Sequence, residues 1–434
     1  MSDYYLQQRE NIINTAFQVW AESHFSKMSL SPVAEALSLS KAALYRYFKN
    51  KDELLQTMIQ QFSQSMYLAV EEFQKTAHAD TLADAVGQYY TFLFNYFFNH
   101  PYYYSFVIFF ILHRMTEFSK KLFRERDRIN AFFHQVMDKE MYPRDEYTRH
   151  ITTRFIQLNG FFWTMQLFSK KESGSLPEYL DFHRKINEKE MKNLLQKAVF
   201  VGCNGYCSIS SDSVIAYEKI IKECWISPEE MLETDRIFSA VEEVVAEVGF
   251  ADASVERIAE RIGINKSSLY FYFKNKNEMF FKTIKREQDH LIGLIVGKLS
   301  RIRSFEEKMF GFFIALVSQM LNKPYLMTII HWLRKQNIGV NFQKKNMGNV
   351  FERLDFLREG IEQGKFHTHN GEPGSVLLFI FFFLMNEIRF LSKNENNNTE
   401  YIKKAFSLYC RGINHNKMKK NPINIQGVQN EQGN

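Results

Sequence analysis

The clearest pattern of apolar and polar positions lies between residues 237 and 284. Ile237, Val241, Val244, Val245 and Val248 recur at helical spacing, and Gly249 is expected to end that helix. Ser254 can cap a short second helix whose inner face is Val255, Ile258, Ala259 and Ile262. Gly263 supplies a tight turn, because a positive φ costs glycine little. Asn265 then caps a third helix over 266–273, with Leu269 and Phe273 facing inward. Lys274-Asn275-Lys276 breaks it, and a fourth helix starts near Asn277. Two short helices joined by a tight turn and packed on a longer one describe a helix-turn-helix.

The pattern occurs twice. LYRYFKNK at 44–51 recurs as LYFYFKNK at 269–276, an offset of 225 residues. Held without a gap, the offset pairs Ile12 with Ile237, Val19 with Val244, Phe25 with Phe250, Ser29 with Ser254, Lys41 with Lys266 and Glu53 with Glu278. It exceeds half of the 434 residues, so the duplicated unit is domain-sized and not a solenoid repeat. The expected division is a first head at 1–60, a helical bundle at 61–204, a linker at 205–227, a second head at 228–286, a second bundle at 287–413 and a disordered polar tail at 414–434. The linker expectation rests on the Gly- and Ser-rich stretch 202–213, which is followed by an amphipathic segment at 214–224. Ser227-Pro228-Glu229-Glu230 then reads as a helix start, with a Ser cap, Pro in the first turn and acids near the positive end of the dipole.

Residues 52–204 and 277–413 read as helices throughout, so the expected fold is all-α. The longest apolar runs, 102–112 and 376–385, are too short to span a bilayer core of about 30 Å as helices. The opening MSDYYLQQREN has neither a basic nor an apolar leader region. The expectation is therefore a cytoplasmic protein with no membrane partner.

Composition alters this picture little. The apolar share is 45% and the charged share 24%, as in globular protein. The net charge of +6 permits nucleic-acid contact without arguing for it. Phe is abundant at 42, so cores or pockets should be aromatic. Four cysteines make no disulfide framework, and Cys203, Cys207, Cys224 and Cys410 find no completing Cys/His pair for zinc. His367 and His369, in a Gly-containing turn, read as part of a solvated loop. A phosphate loop, paired catalytic carboxylates, a nucleophile elbow and HEXXH are all missing, so neither an enzyme nor a cofactor or metal is expected.

The third helix is where charge matters. Between Asn265 and Lys276 there are three lysines and no acid. Between Ser40 and Lys51 stand Lys41, Arg46, Lys49 and Lys51, again without an acid. A short cationic helix with hydroxyls and tyrosines suits a duplex groove, with cations and Tyr hydroxyls on phosphates and first-turn side chains on base edges. A solvated basic helix on a bundle is the alternative, and two occurrences of the pattern weigh against it.

These residues resemble the DNA-binding domain of TetR-family (tetracycline-repressor-like) transcriptional regulators. The resemblance is carried by Gly249-Phe250, Ser254-Val255, Ile258-Ala259, Gly263-Ile264, Ser268-Leu269-Tyr270, Tyr272-Phe273 and Lys276-x-Glu278. The first copy departs from it at His24 and at Ser38, where the family has glycine. The resemblance implies two tandem units, each a three-helix head plus a helical regulatory bundle, with helix-turn-helix motifs at 29–48 and 254–273. It implies a double-stranded DNA operator as partner. Ser40, Lys41, Ala42 and Ala43 in one head, and Asn265, Lys266, Ser267 and Ser268 in the other, would read bases. Tyr45, Tyr47 and Lys51, and Tyr270, Tyr272 and Lys276, would hold phosphates or flank bases. Arg46 can reach guanine or phosphate where Phe271 cannot. The dimer-interface helices would be 148–168 with 180–201, and 375–391 with 399–412.

The aromatic stretch 89–110 could line a ligand cavity through Tyr89, Phe92, Tyr96, Tyr103, Phe106 and Phe110, with Trp163. Asn95, His100 and His113 could add polar groups, and a core merely filled with rings is the alternative. The expected function is a sequence-specific repressor released by a small hydrophobic ligand. An activator without ligand response, and a helical interaction module with degenerate heads, stay open. So does the choice between an intrachain pseudo-dimer and a homodimer.

Overall fold

A computed structural model of the chain describes residues 3–22, 25, 28–107, 115–169, 188–209, 214–231, 236–323, 326, 353–367, 374–391 and 398–416. Eighteen α-helices and two 3₁₀ turns make up the described residues, and a single Cys207–Phe366 bridge is their only β pairing. The all-α expectation holds.

In the first half, α1 (Asp3–Glu22), α2 (Leu30–Ala36) and α3 (Lys41–Leu44) form the head. The long α4 (Lys51–Thr76) carries the chain out of it into α5 (Leu82–Asn99), α6 (Pro101–Phe106), α7 (Met115–Lys139), α8 (Glu146–Ser169) and α9 (Glu188–Asn204). The second half opens with α10 (Tyr217–Cys224) and repeats the head as α11 (Arg236–Asp252), α12 (Val255–Ile262) and α13 (Lys266–Tyr272). Then come α14 (Lys276–Leu299), α15 (Phe305–Asn322), α16 (Asp355–Glu362), α17 (Gly374–Leu391) and α18 (Asn398–Arg411).

The repeated letters FKNKxE are a helix start. Asn50 and Asn275 have matching extended backbones (φ −160° and −162°), and their side chains accept from Glu53 N and Glu278 N. In return, the Glu53 carboxylate accepts from Lys49 N at 2.7 Å and that of Glu278 from Lys274 N at 2.6 Å. Two otherwise unsatisfied donors are thus met at the start of each long helix. Two details differ from expectation. Helix α11 runs through Gly249 to Asp252, because one glycine only weakens a helix whose apolar face is buried. Pro228–Glu230 is a lone 3₁₀ turn, held by Ser227 N to Glu230 Oε2 at 3.0 Å and by the Lys298–Glu230 ion pair at 2.8 Å.

The halves pack on each other through α8 and α9 on one side and α17 and α18 on the other. Phe155 meets Phe379 and Phe383, and Phe162 meets Phe379 and Phe382, at ring separations of 5.2–6.0 Å. The last helix of each half ends in a left-handed glycine, Gly205 at φ 77° and Gly412 at φ 61°. A Cβ on Gly205 would run into the Cys410 backbone, and one on Gly412 into that of Cys203. Only glycine lets the two helix ends meet backbone to backbone.

The start of the stretch expected to be a linker, 205–227, is part of that contact. Tyr206 N donates to Tyr409 O at 2.8 Å, Cys207 N to Cys410 O at 3.1 Å and Ser208 N to Lys365 O at 2.8 Å. His367, expected in a solvated loop, braces the same seam: its backbone N–H donates to Tyr206 O at 2.9 Å and its ring Nδ1 to Gly205 O at 2.8 Å. Gly205 thus stands at a sharp turn in a tight contact. Farther on, α10 buries Ile220 and Cys224 against α14 and α15, so this part of the stretch belongs to the second bundle. Residues 210–213, His369 and most of the tail expected to be disordered (417–434) lie outside the described residues. No helix among the described residues is long and apolar enough to cross a membrane, and none of their His, Cys, Asp and Glu side chains form a group able to hold a metal ion.

Candidate nucleic-acid interface

Each head buries one face of its third helix and leaves the other to solvent. Leu44 and Phe48 anchor the first, Leu269 and Phe273 the second, all of them buried. Around these anchors Ser40, Lys41, Ala42, Tyr45, Arg46 and Lys51 are exposed, whereas Ala43 and Tyr47 are half-buried. In the second head Asn265, Lys266, Ser267, Ser268, Tyr270 and Tyr272 are exposed and Lys276 is half-buried. Each set therefore lies along one short helix and the start of the next.

The local supports differ between heads. Ser40 Oγ accepts from Ala43 N at 3.1 Å and caps α3, whereas Asn265 heads α13 without a side-chain cap. The turn before the reading helix is left-handed in both heads. It is made by Gly263 at φ 76° in the second and by Ser38 at φ 54° in the first. Serine at this angle carries strain that glycine does not. Lys266 pairs with Glu256 of α12, whose carboxylate raises its pKa, and lies 5.8 Å from the Tyr270 ring centre. The position equivalent to Glu256 is Ser31 in the first head, so Lys41 is spared that competition. Phe271 is 88% exposed where the first head has Arg46.

Two side chains at this face are easy to miss in the sequence. Arg9 of α1 donates to Tyr47 O at 2.5 Å, pairs with Glu53 at 3.5 Å and stacks its guanidinium 4.2 Å over Phe48. Tyr5 stacks on Tyr47 at 5.0 Å. Together they fix the end of α3 against α4. The only sequence signal was a basic residue two turns into α1, far from the motif.

Of the residues considered for a ligand, five form one run of rings and Trp163 reaches it through hydrogen bonds: Tyr90 accepts from Asn159 at 2.8 Å and its ring lies 6.0 Å from Tyr89. Tyr89, Phe92, Tyr96, Tyr103 and Phe106 belong to a continuous chain of ring contacts: Phe133–Tyr89–Phe92–Tyr96–His100–Tyr103–Phe17–Phe106–Phe25, at 4.9–6.3 Å per step. It runs from the bundle into the first head. Tyr96 donates to Ser65 at 3.0 Å and Gln61 to the Tyr103 hydroxyl at 3.2 Å, so the chain is tied along its length. Burial pushes the pKa of the Tyr89 hydroxyl up and that of the His100 imidazole down, because the charged form of each would lose hydration. Trp163 stands at the seam between halves: its indole N–H donates to Tyr206 at 3.0 Å, and Tyr206 donates to Asn159 at 2.6 Å. Phe110 and His113 lie outside the described residues.

The profile described as "Bacterial regulatory proteins, tetR family" matches residues 12–58 and again 237–283. The "Fatty acid metabolism regulator protein" of Bacillus subtilis (strain 168) is 26% identical over 136 residues, which is 30% of this chain and 69% of that protein. Among solved structures, the fatty acid degradation regulator FadR from Bacillus halodurans matches 42% of this chain and 95% of its own, at 20% identity and TM-score 0.34. FadR from Bacillus subtilis in complex with stearoyl-CoA matches 41% of this chain and 98% of its own, at 20% identity and TM-score 0.33. The tetR-family profile thus matches both heads of the chain in tandem, and the protein similar in sequence is named as a regulator of fatty acid metabolism.

Proposed function

We propose that this double-headed tetR-family chain is a repressor that reads an asymmetric operator through its two heads and releases it when a hydrophobic ligand binds. One observation carries the reading: two helix-turn-helix heads of the same build in one chain present different side chains to solvent. Ser40, Lys41, Ala42 and Ala43 face Asn265, Lys266, Ser267 and Ser268 as the base-reading sets. Alanine can touch a thymine methyl, serine can hydrogen-bond base edges, and Arg46 can reach guanine or phosphate where Phe271 offers only an apolar ring. Tyr45, Tyr47, Lys51, Tyr270, Tyr272 and Lys276 take the phosphate backbone. The half-sites then differ where these residues face them, at about 1–3 kcal/mol per mismatch.

The operating unit in this reading is one chain, with the halves acting as the two subunits of a pseudo-dimer. A covalent join gives them an effective concentration in roughly the mM range. For the ligand, the aromatic build of the first bundle and a relative named for fatty acid metabolism support an acyl compound. Release needs only a difference of about 1–3 kcal/mol between its affinities for the two states.

In-vitro selection of bound DNA from a random library, run beside the particle mass in solution, tests this directly. The expected result is one chain per non-palindromic site. A stable two-chain particle on a perfect palindrome refutes it. Lys51→Ala and Lys276→Ala should each weaken binding to all sequences and lower the salt slope by about one unit. A head whose lysine changes neither quantity does not sit on phosphate. Long-chain acyl-CoA should lower DNA affinity; if it does not, the ligand assignment fails while DNA binding stands.

A further inference from the structure

At the seam between halves one carboxylate is buried between groups of its own half and of the other. Glu387 of α17 is 1% exposed. Its Oε1 accepts from Arg154 Nε of α8 at 2.9 Å, and its Oε2 accepts from the Tyr401 hydroxyl of α18. His150 Nε2, one turn before Arg154, lies 3.9 Å from the same oxygen. A second cation of the first half, Arg126 of α7, also acts on both Glu387 and Arg154, and Phe155, Phe162, Phe379 and Phe383 form the aromatic part of the crossing.

The two faces are not interchangeable. Helix α8 has no acid beyond Glu146 in its first turn, and Arg154 and His150 belong to it alone. Glu387 is the one acid of α17. In the observed pairing of unlike halves, cation meets carboxylate. A pairing of two first halves would bring two Arg154 faces together without a buried acid. A pairing of two second halves would bury two carboxylates without Arg154 or His150. An uncompensated buried charge is far costlier than a missed apolar contact, whereas a matched pair roughly breaks even.

We infer that Arg154 and Glu387 form a pairing-specificity site: each half recognises the other half and rejects a copy of itself, so the chain closes on itself. The inference deepens the one-chain reading above and rests on it. The occupant of the α8 face is the second half of the same chain, held within reach by the 205–227 segment. The pair therefore adds selectivity where a purely aromatic crossing would accept either face.

The test uses the full chain and a charge swap. Particle mass and DNA affinity are measured for the wild type, Arg154→Glu, Glu387→Arg, the double variant, and a one-to-one mixture of the two single variants. The wild type and the double variant should run at one chain mass and bind DNA alike. Each single variant should lose DNA affinity by at least about tenfold as its heads lose their fixed separation. The mixture should form a two-chain particle, in which each Arg154–Glu387 pair, native or reversed, joins different chains. Single variants that behave like wild type, or a double variant no better than the singles, overturn the specificity site and leave the one-chain reading intact. A wild-type particle of two chains overturns the one-chain reading instead.

Discussion

The joint between head and bundle is built on the same backbone in both halves and filled with opposite chemistry. His100 and Lys323 end α5 and α15 with matching dihedrals, φ −129° with ψ 62° and 64°. Around His100 the joint is aromatic: Phe17 of α1 and Phe62 of α4 close on Tyr103 at 5.0 and 5.5 Å. At the 225-residue offset, Phe17 becomes Glu242 and Phe62 becomes Glu287. There the Lys323 ammonium sits 2.6 Å from Glu287 and 3.9 Å from Glu242, with all three side chains at most 8% exposed. The Asn50 and Asn275 caps of the two long helices are alike in both halves because a cap is a local rule. The filler diverged because either solution satisfies the same backbone. The two should fail differently, since each ring contributes on its own whereas the ions depend on one another.

The sharpest way to break this comparison is to remove one ion. Lys323→Met should destabilise the second head by about 3–5 kcal/mol, because two buried carboxylates then lose their cation. His100→Ala, at the same turn in the first half, should cost about 1 kcal/mol, since the half-exposed ring gives up only its stacking on Tyr96 and Tyr103. Hydrogen exchange resolved by head measures both, and equal losses would erase the distinction. Exchanging the whole cluster is the converse experiment. Glu242→Phe, Glu287→Phe and Lys323→Met together should leave thermal stability unchanged or raise it by about 1–4 kcal/mol, as when buried ions give way to packed apolar groups. A drop like that of the single variant would mean that the ions are not the weak element.

The turns offer a smaller contrast. Ser38→Gly should stabilise the first head by about 1 kcal/mol, and Gly263→Ser should cost the second a similar amount, because only glycine is unstrained at positive φ. Denaturant midpoints with unchanged slopes read this out. The smallest effect concerns acid. Burial pushes the Asp145 carboxyl up, but hydrogen bonds from Lys404 and Thr148 outweigh it and hold the pKa at about 2. Its contribution to the seam is therefore complete above pH of about 4 and is lost as the pH falls toward 2. The site is largely exposed, so the loss should be about 1 kcal/mol or less. Lys404→Ala should flatten that part of the stability profile.

Much of the heads could be read from the letters alone. Helical spacing of Val241, Val244, Val245 and Val248, the Ser254 cap, the Gly263 turn and the paired FKNKxE starts each depend on residues within a few positions of one another. The exposed face of the reading helix followed from the same spacing, once Leu269 and Phe273 were assigned inward. Arg9 and Tyr5 were not legible, because their partners Tyr47, Phe48 and Glu53 are about forty residues away and no local rule links them. The aromatic stretch 89–110 announced rings but not what they surround: Tyr89, Phe92, Tyr96, Tyr103 and Phe106 join one packed run, and Trp163, outside the stretch, bonds Tyr206 at the seam.

The sequence by itself thus determined the fold class, the duplication and the exposed faces of the two third helices, since period, caps and turn residues act at short range. Tertiary structure alone decided what fills the joints, that Gly205 and Gly412 meet, and that Arg154 finds Glu387 across 233 residues of chain. Those outcomes depend on which faces come together in space. A lone arginine or glutamate on an apolar helix does not name its partner until packing removes both from water.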